Sequence, residues 1–321
     1  MKIDKTTLQK KIEKFSNKSL KPLCRKIVGW EEIEEQINTV HFFLNNYFDI
    51  RNTPKATGLL RQVQLADTEL LRIITDILKK NGLSYWLDYG TLLGAVRHGG
   101  FIPWDDDLDI SMPREHYETA IKLLPEALSQ LKPDCDIQFG ESGGRAWIAV
   151  FKAGLILDIF PYDNVSATLY PDPEELRSRV LAAKIYCRKH QEESAASIAK
   201  KKEKMIGSYV KENPIWFQCP EWGLNYNVYP HDMIFPLRSL RFEDYDFSVP
   251  NDFSAYLSVW FGNYMEFPKS GVLHHKGTGG GVYKHAEQFH VDMDKLIQSL
   301  KSICVSDDRI KTDCKKESLS V

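Results

Sequence analysis

No stretch of this 321-residue sequence approaches the roughly 20 consecutive apolar residues that cross a bilayer. Nor do the opening residues, Met1-Lys2-Ile3-Asp4-Lys5, contain the apolar core of an export signal. A cytoplasmic globular protein is the expectation, and its size suits an enzyme. Charge is in excess in neither direction: 42 basic and 44 acidic side chains leave a formal net charge of -2. A general nucleic-acid binder would carry a basic surplus on one face, so no nucleic-acid partner is expected. Wholesale disorder is excluded too, because 43% of the residues are hydrophobic. Cysteine is sparse. Cys24, Cys135, Cys187, Cys219, Cys304 and Cys314 form no C-x-x-C pair and read as reduced, mostly structural thiols. There is no G-x-x-x-x-G-K-[ST], and Gly277 to Gly281 lack the spacing of a dinucleotide fingerprint. No internal repeat is visible.

What is present is enough apolar material for one large core or two ordinary ones. Ile33, Ile37, Val40 and Phe43 mark an amphipathic helix in an N-terminal extension, residues 1–58, read as docking on the main domain. Leu70, Ile74, Ile77 and Leu78 repeat at helical spacing, and Lys79-Lys80-Asn81-Gly82 supplies the stop. The pattern then predicts a strand over 84–89, a short helix over 91–96, a strand over 108–112 and a helix over 114–131. Two apolar segments, 147–151 and 155–160, flank Ala153-Gly154 as a hairpin. A charged helical insertion is expected over about 172–212, and β character over 231–267. A last helix and polar tail occupy 278–321.

Trp104-Asp105-Asp106-Asp107-Leu108-Asp109-Ile110 is the chemically loudest stretch. On a strand, alternation puts Asp107 and Asp109 on one face and Leu108 and Ile110 on the other. Adjacent buried carboxylates repel unless a cation lies between them, and oxygen ligands suit Mg²⁺ or Mn²⁺. An exposed acidic turn is the plain alternative, and the interleaved apolar residues weigh against it. An EF-hand fails, because Ile110 stands where the loop needs glycine and His116 where it needs glutamate. Asp158, alone in the apolar run Leu155-Ile156-Leu157-Asp158-Ile159-Phe160, is either paired with a buried base or facing the same metal. Gly90 and Thr91, between a strand and a helix, could hold a phosphate at the helix N-terminus. Lys10-Lys11 and Lys200-Lys201-Lys202 read as solvated faces, with anionic lipid as the alternative.

These residues compose a recognisable pattern. Tyr85-Trp86-Leu87-Asp88-Tyr89-Gly90-Thr91-Leu92-Leu93-Gly94-Ala95-Val96-Arg97-His98 and Phe101-Ile102-Pro103-Trp104-Asp105-Asp106-Asp107-Leu108-Asp109-Ile110 closely resemble the signature of the LicD family. Leu157-Asp158-Ile159-Phe160-Pro161 is similar to its downstream acidic strand. Phe235-Pro236-Leu237, Phe242-Glu243, Val249-Pro250 and Phe261-Gly262-Asn263-Tyr264-Met265 resemble its C-terminal segment. The resemblance covers about residues 59–277. It implies an α+β, nucleotidyltransferase-like mixed sheet flanked by helices, with Thr91 where that superfamily often has serine.

The resemblance further implies transfer of phosphocholine, or a related phospho-alcohol, from CDP-choline or another CDP-alcohol onto a surface glycan such as lipopolysaccharide or teichoic acid. In that scheme Asp107 and Asp109 hold one or two Mg²⁺ or Mn²⁺ ions, Asp105 is an additional ligand, and Asp158 completes the site as the base. Arg97 would neutralise the leaving CMP, or with His98 would merely anchor the turn. The competing readings are an NTP-using nucleotidyltransferase and a non-catalytic glycan- or nucleotide-binding module. Work on a lipid-linked glycan would set the protein at the inner membrane surface. For a choline head, aromatic faces are the natural recognition element. Tyr85, Trp86, Tyr89, Trp104, Trp216 and Trp222 are the candidates, Trp104 foremost because it precedes the acidic run.

Overall fold

The computed structural model describes residues 30–131, 136–142, 145–166, 172–189, 204–205, 214–218, 228–268, 283–305 and 310–312. The chain forms two compact units, Met1–Asn52 with Met265–Val272 and Thr53–Tyr264 with Leu273–Val321. In the smaller unit, helix α1 (Trp30–Tyr47) contains the expected stripe, and Ile33, Ile37, Val40 and Phe43 are all exposed. The Phe267 N–H donates to Asn45 Oδ1 at 2.7 Å, and His41 Nε2 lies 2.8 Å from Phe267 O.

The larger unit is built on a mixed sheet. Its strands are β1 (Trp86–Leu87), β2 (Leu108–Pro113), β3 (Gln138–Ser142), β4 (Arg145–Val150), β5 (Leu155–Ser166), β6 (Pro214–Gln218) and β7 (Val228–Pro230). The order is β1-β2-β5-β4-β3, with β6 pairing the far end of β5 and β7 pairing β6. Only β2 and β5 run parallel, with Asp109 opposite Asp158. Helices α2 (Gly58–Lys80), α3 (Tyr89–His98), α4 (Arg114–Gln130), α5 (Pro173–Lys189), α6 (His231–Ile234), α7 (Phe253–Phe261), α8 (Lys284–Gln288) and α9 (Met293–Ser302) flank it. Two separate hairpins complete the unit: β8 (Arg238–Phe242) with β9 (Tyr245–Val249), and β10 (Ile303–Val305) with β11 (Ile310–Thr312).

Strand alternation divides the sheet chemically. Leu108, Ile110, Met112, Leu155, Leu157 and Ile159 are buried on one face, each worth roughly 1.5–3 kcal/mol of burial. Helices α2 and α4 both pack against β5, bringing Leu70, Ile74, Leu124 and Leu128 to the core. The other face carries Asp109, Ser111, Asp158, Phe160 and Tyr162.

Most expected elements form, with instructive differences. The first strand is two residues long: Asp88 still donates its N–H to Asp109 O at 3.1 Å, but its side chain caps α3, accepting the Tyr89 N–H at 2.8 Å. The β4–β5 connection is a 3₁₀ turn over Phe151–Ala153 that closes on Gly154 at φ 73, a left-handed position suited to glycine. The strands β3, β6, β7, β10 and β11 are too short or too polar to announce themselves. Cys304 is disulfide-bonded, which corrects the reading of all six cysteines as reduced thiols; a spacing rule sees only neighbouring pairs. The Lys10-Lys11 and Lys200-Lys201-Lys202 patches, Gly277 to Gly281, Trp222 and much of the expected insertion lie outside the described residues. No helix among the described residues is long and apolar enough to cross a membrane.

Candidate active site

The acidic residues gather where β2 begins. Parallel pairing sets Asp109 directly beside Asp158, with Asp107 one alternation before Asp109. Burial pushes Asp109 well above the usual carboxylate range, and Asp107, Asp158, Asp105 and Asp88 push it further. Asp105 is raised for the same reasons, by burial, Asp107 and Asp106, against a partial offset from Arg97. Helix α2 adds another acid. Asp67 is fully buried, and burial with Asp107 and Asp106 raises it strongly against a small offset from the Ile156 backbone N–H. Asp106 is also buried, and its Oδ2 accepts the Tyr283 N–H at 3.2 Å.

Asp158 meets a base as well as an acid. Arg145, on the neighbouring strand β4, places Nε 2.9 Å from Asp158 Oδ2. Burial raises the Asp158 carboxyl and Arg145 lowers it. The other oxygen, Oδ1, is buried with no hydrogen-bond partner. Of the two alternatives drawn from the sequence, a base is present in the half-buried Arg145, and among the described residues Oδ1 has no partner.

Helix α3 is locked onto this strand pair. The Asp109 N–H donates to Thr91 Oγ1 at 2.8 Å, so the threonine hydroxyl ties the helix start to the acidic strand. Gly90 lies against Asp105: a Cβ there would stand 2.7 Å from Asp105 Oδ2, and any side chain would displace that carboxylate. Behind both, fully buried Asp88 accepts from Ser111 Oγ at 2.5 Å, Tyr162 Oη at 2.9 Å and Tyr256 Oη at 2.9 Å. Burial lifts Asp88 to about 6 despite these donors. The last turn of α3 is anchored too. Arg97 Nη1 donates to Tyr264 O and Nε to His98 Nε2, each at 3.0 Å. Burial lowers Arg97 to about 10, and burial with Arg97 lowers His98 to about 4. His98 is thus a neutral acceptor, which puts its proton on Nδ1, a buried atom with no partner.

The loop between α3 and β2 is clamped from its other side by Glu243, in the β8–β9 turn at φ 50. Glu243 accepts from Lys55 Nζ at 2.8 Å, Arg61 Nη2 at 2.7 Å and the Phe101 N–H at 3.2 Å. Burial alone would raise it, but Arg61 and then Lys55 hold it at about 2. Arg61 also donates to Gln64 Oε1, and Gln64 Nε2 donates to Asp105 O at 3.0 Å. A Cβ at Gly100 would stand 2.2 Å from Glu243 Oε1, so this close approach requires glycine.

The aromatic candidates separate clearly. Tyr85 and Trp86 are fully buried in the core and cannot face a ligand. Trp104 is half-buried beside the acids and packs on the core, and Tyr89 is half-buried at the head of α3. Trp216 lies on β6, and its side chain is outside the described residues. Asp67, Asp88, Arg145, Glu243, Tyr162 and Tyr256 were not singled out from the sequence. Arg145 alone left a signal, as a basic residue opening an apolar strand.

Oxygen donors under mutual repulsion are the donor set of a hard divalent cation, so the chemistry of these residues fits one. Among the described residues, no three His, Cys, Asp or Glu side chains are already gathered at ligating geometry. The carboxylates would have to converge on an ion.

A mixed sheet with paired acids on adjacent parallel strands defines the class, and sequence comparison supplies the family. Residues 82–174 match the family model described as LicD/FKTN/FKRP, nucleotidyltransferase domain. Over that segment the chain is similar to the LicD family. It is 29% identical to the lipopolysaccharide cholinephosphotransferase LicD of Haemophilus influenzae, covering 65% of this chain and 92% of that protein. It is 48% identical to the human ribitol 5-phosphate transferase FKRP, but over 14% of this chain and 9% of that one. The ribitol-5-phosphate transferase FKTN of Mus musculus is 31% identical over 35% of this chain and 20% of its own length.

Proposed function

We propose that this protein is a divalent-cation-dependent transferase that moves phosphocholine, or a closely related phospho-alcohol, from a CDP-alcohol onto a glycan. Its relatives are named for moving different alcohol phosphates, so their names support phosphotransfer more firmly than they support choline. The observation that carries the reading is the Asp109–Asp158 pair, set side by side on parallel strands with Asp105 and Asp107 adding to its negative field. Asp105, Asp107, Asp109 and Asp158 would hold Mg²⁺ or Mn²⁺. Such an ion, when bound, supplies positive charge to the donor diphosphate and makes its phosphorus more electrophilic.

In this scheme Asp158 Oδ1 accepts the proton of the acceptor hydroxyl, whose oxygen attacks the phosphorus bearing the alcohol. CMP leaves. Arg145 keeps Asp158 oriented, and Thr91 and Gly90, which hold the α3 terminus against the acidic strand, would bind the donor phosphate. Arg97 adds buried positive charge behind Asp105. The acceptor would be a lipopolysaccharide- or teichoic-acid-type glycan met at the cytoplasmic membrane surface.

The test is incubation with CDP-choline or with CTP, in Mg²⁺ and a glycan acceptor, with CMP and pyrophosphate measured separately. CMP release that depends on CDP-choline supports the reading. Pyrophosphate from CTP would instead make the protein an NTP-using nucleotidyltransferase, and neither product would make it a binding module.

A further inference from the structure

Helix α1 presents an apolar stripe to solvent. Ile33, Ile37, Val40, Phe43 and Tyr47 are between 46% and 70% exposed. A helical repeat of 3.6 residues places all five within roughly a third of the circumference. The neighbouring flank, at His41 and Asn45, is already engaged with Phe267. The stripe has an unusual symmetry. Ile37 and Phe43 stand equally far from Val40 along the chain, and so do Ile33 and Tyr47, so the pattern reads the same in both directions.

Such a stripe is complementary to itself. Turned about a two-fold axis through Val40, a second copy sets Ile33 against the partner's Tyr47, Ile37 against the partner's Phe43, and Val40 against its own counterpart. A closed, isologous interface has this relation. Size matches as well as position. At the C-terminal end Phe43 lies 4.9 Å from Tyr47 and 5.8 Å from Phe48, a ring cluster that meets the two isoleucines of the other copy. Charge selects the same orientation. Glu31, Glu32, Glu34 and Glu35 crowd the start of the helix, and no Asp, Glu, Lys or Arg follows them within it. Antiparallel packing keeps the two acidic ends apart, whereas parallel packing would bring them together.

The area is sufficient. With Phe48, six apolar side chains about half exposed offer on the order of 100 Å² each. Two copies would bury roughly 1,200 Å², the lower bound of a specific interface. An anionic bilayer suits the helix less well. The polar side of an interfacial helix is rich in Lys and Arg, whereas this one has Glu34 and Glu35.

We propose that α1 is a dimerisation helix, pairing antiparallel with α1 of a second copy of this chain about Val40. The inference goes beyond the transferase reading and does not depend on it.

The test follows the full chain by sedimentation velocity over a range of concentrations. The parent should have twice the mass of one chain at about 10 µM. Val40→Glu, which sets two like charges on the axis, should weaken association about a hundredfold or more. Ile37→Glu and Phe43→Lys should each be monomeric alone and should pair with each other when mixed, because opposite charges then meet across the axis. Parallel pairing predicts no such rescue. All three positions are exposed, so unfolding curves should match the parent's. The proposal is overturned if the parent is a monomer at about 100 µM, if Val40→Glu dimerises as tightly as the parent, or if the mixed variants stay apart. A monomer that floats with vesicles of phosphatidylglycerol and phosphatidylcholine would assign the stripe to a bilayer instead, and one that ignores them would assign it to a segment of its own chain.

Discussion

Two buried acidic regions sit at opposite ends of one loop, and they are treated in opposite ways. Glu243 is surrounded by Lys55, Arg61 and the Phe101 N–H, and its carboxyl is held down at about 2. Asp105 and Asp109 are surrounded chiefly by other carboxylates, and both are pushed up. The chain evidently can neutralise a buried acid where it needs a clamp. At the start of β2 the described residues gather more carboxylates than cations. A region built to be stable matches its charges internally; an internal mismatch of this kind is what the proposed cation would relieve.

The largest effect should come from removing the mismatch. Asp107→Ala or Asp109→Ala should reduce transfer by roughly a hundredfold or more while melting temperature holds or rises, since a repelling charge is lost. Enzyme that keeps full activity in excess EDTA would end the cation assignment. Removing the match should do the reverse. Glu243→Gln leaves Arg61 and Lys55 partly uncompensated and should cost roughly 3 kcal/mol of stability, read by denaturant titration. The pH dependence has a definite sign. A carboxyl lowered from 4.5 to about 2 gives its full stabilisation above pH 4.5 and loses it as pH falls toward 2. The acid limb of the stability curve should therefore flatten over that window in Glu243→Gln, and an unchanged limb would deny the clamp its role.

Asp158 tests the boundary between the two kinds of site, because it has one matched and one unmatched oxygen. Asp158→Asn should preserve nucleotide binding by calorimetry and abolish transfer, since an amide cannot accept the proton. Lost thermal stability with retained specific activity would make it a structural partner of Arg145. The smallest effect is expected at Trp104. If it faces the transferred alcohol, Trp104→Leu should raise the KM for CDP-choline by the equivalent of roughly 0.5–2 kcal/mol. Equal turnover of CDP-ribitol and CDP-choline by the parent enzyme would remove the reason for an aromatic wall there.

The sequence revealed those parts of the molecule that depend on local order. Alternation around Leu108 and Ile110 assigned the acids to one strand face, and helical spacing at Leu70, Ile74 and Ile77 found α2. Partners brought in from afar left little local trace beyond the place of Arg145 at the head of an apolar strand. Arg145 reaches Asp158 across the β4–β5 ladder, Glu243 reaches Phe101 from a distant hairpin, and Asp67 projects from a helix read only for its apolar stripe. Tyr85 and Trp86, read as ligand candidates, are core residues, Trp86 on the acids' own sheet face against Tyr162, because adjacency to a site in sequence does not tell how deeply a ring is covered.

The β2–β5 register has a consequence for how this molecule acquires its structure. The same main-chain pairing that sets Asp109 beside Asp158 also sets Leu108 beside Leu157 and Ile110 beside Ile159. No fragment with only one of these strands contains the acid pair, so the pair exists only once β2 and β5 have docked. At that moment the two faces pull in opposite directions, apolar contact drawing the strands together while carboxylates push them apart. If the proposed divalent ion binds there, its presence during refolding should speed the docking of the two strands. A core substitution such as Ile159→Ala should harm strand docking more than the same change in a strand pair with a neutral outer face.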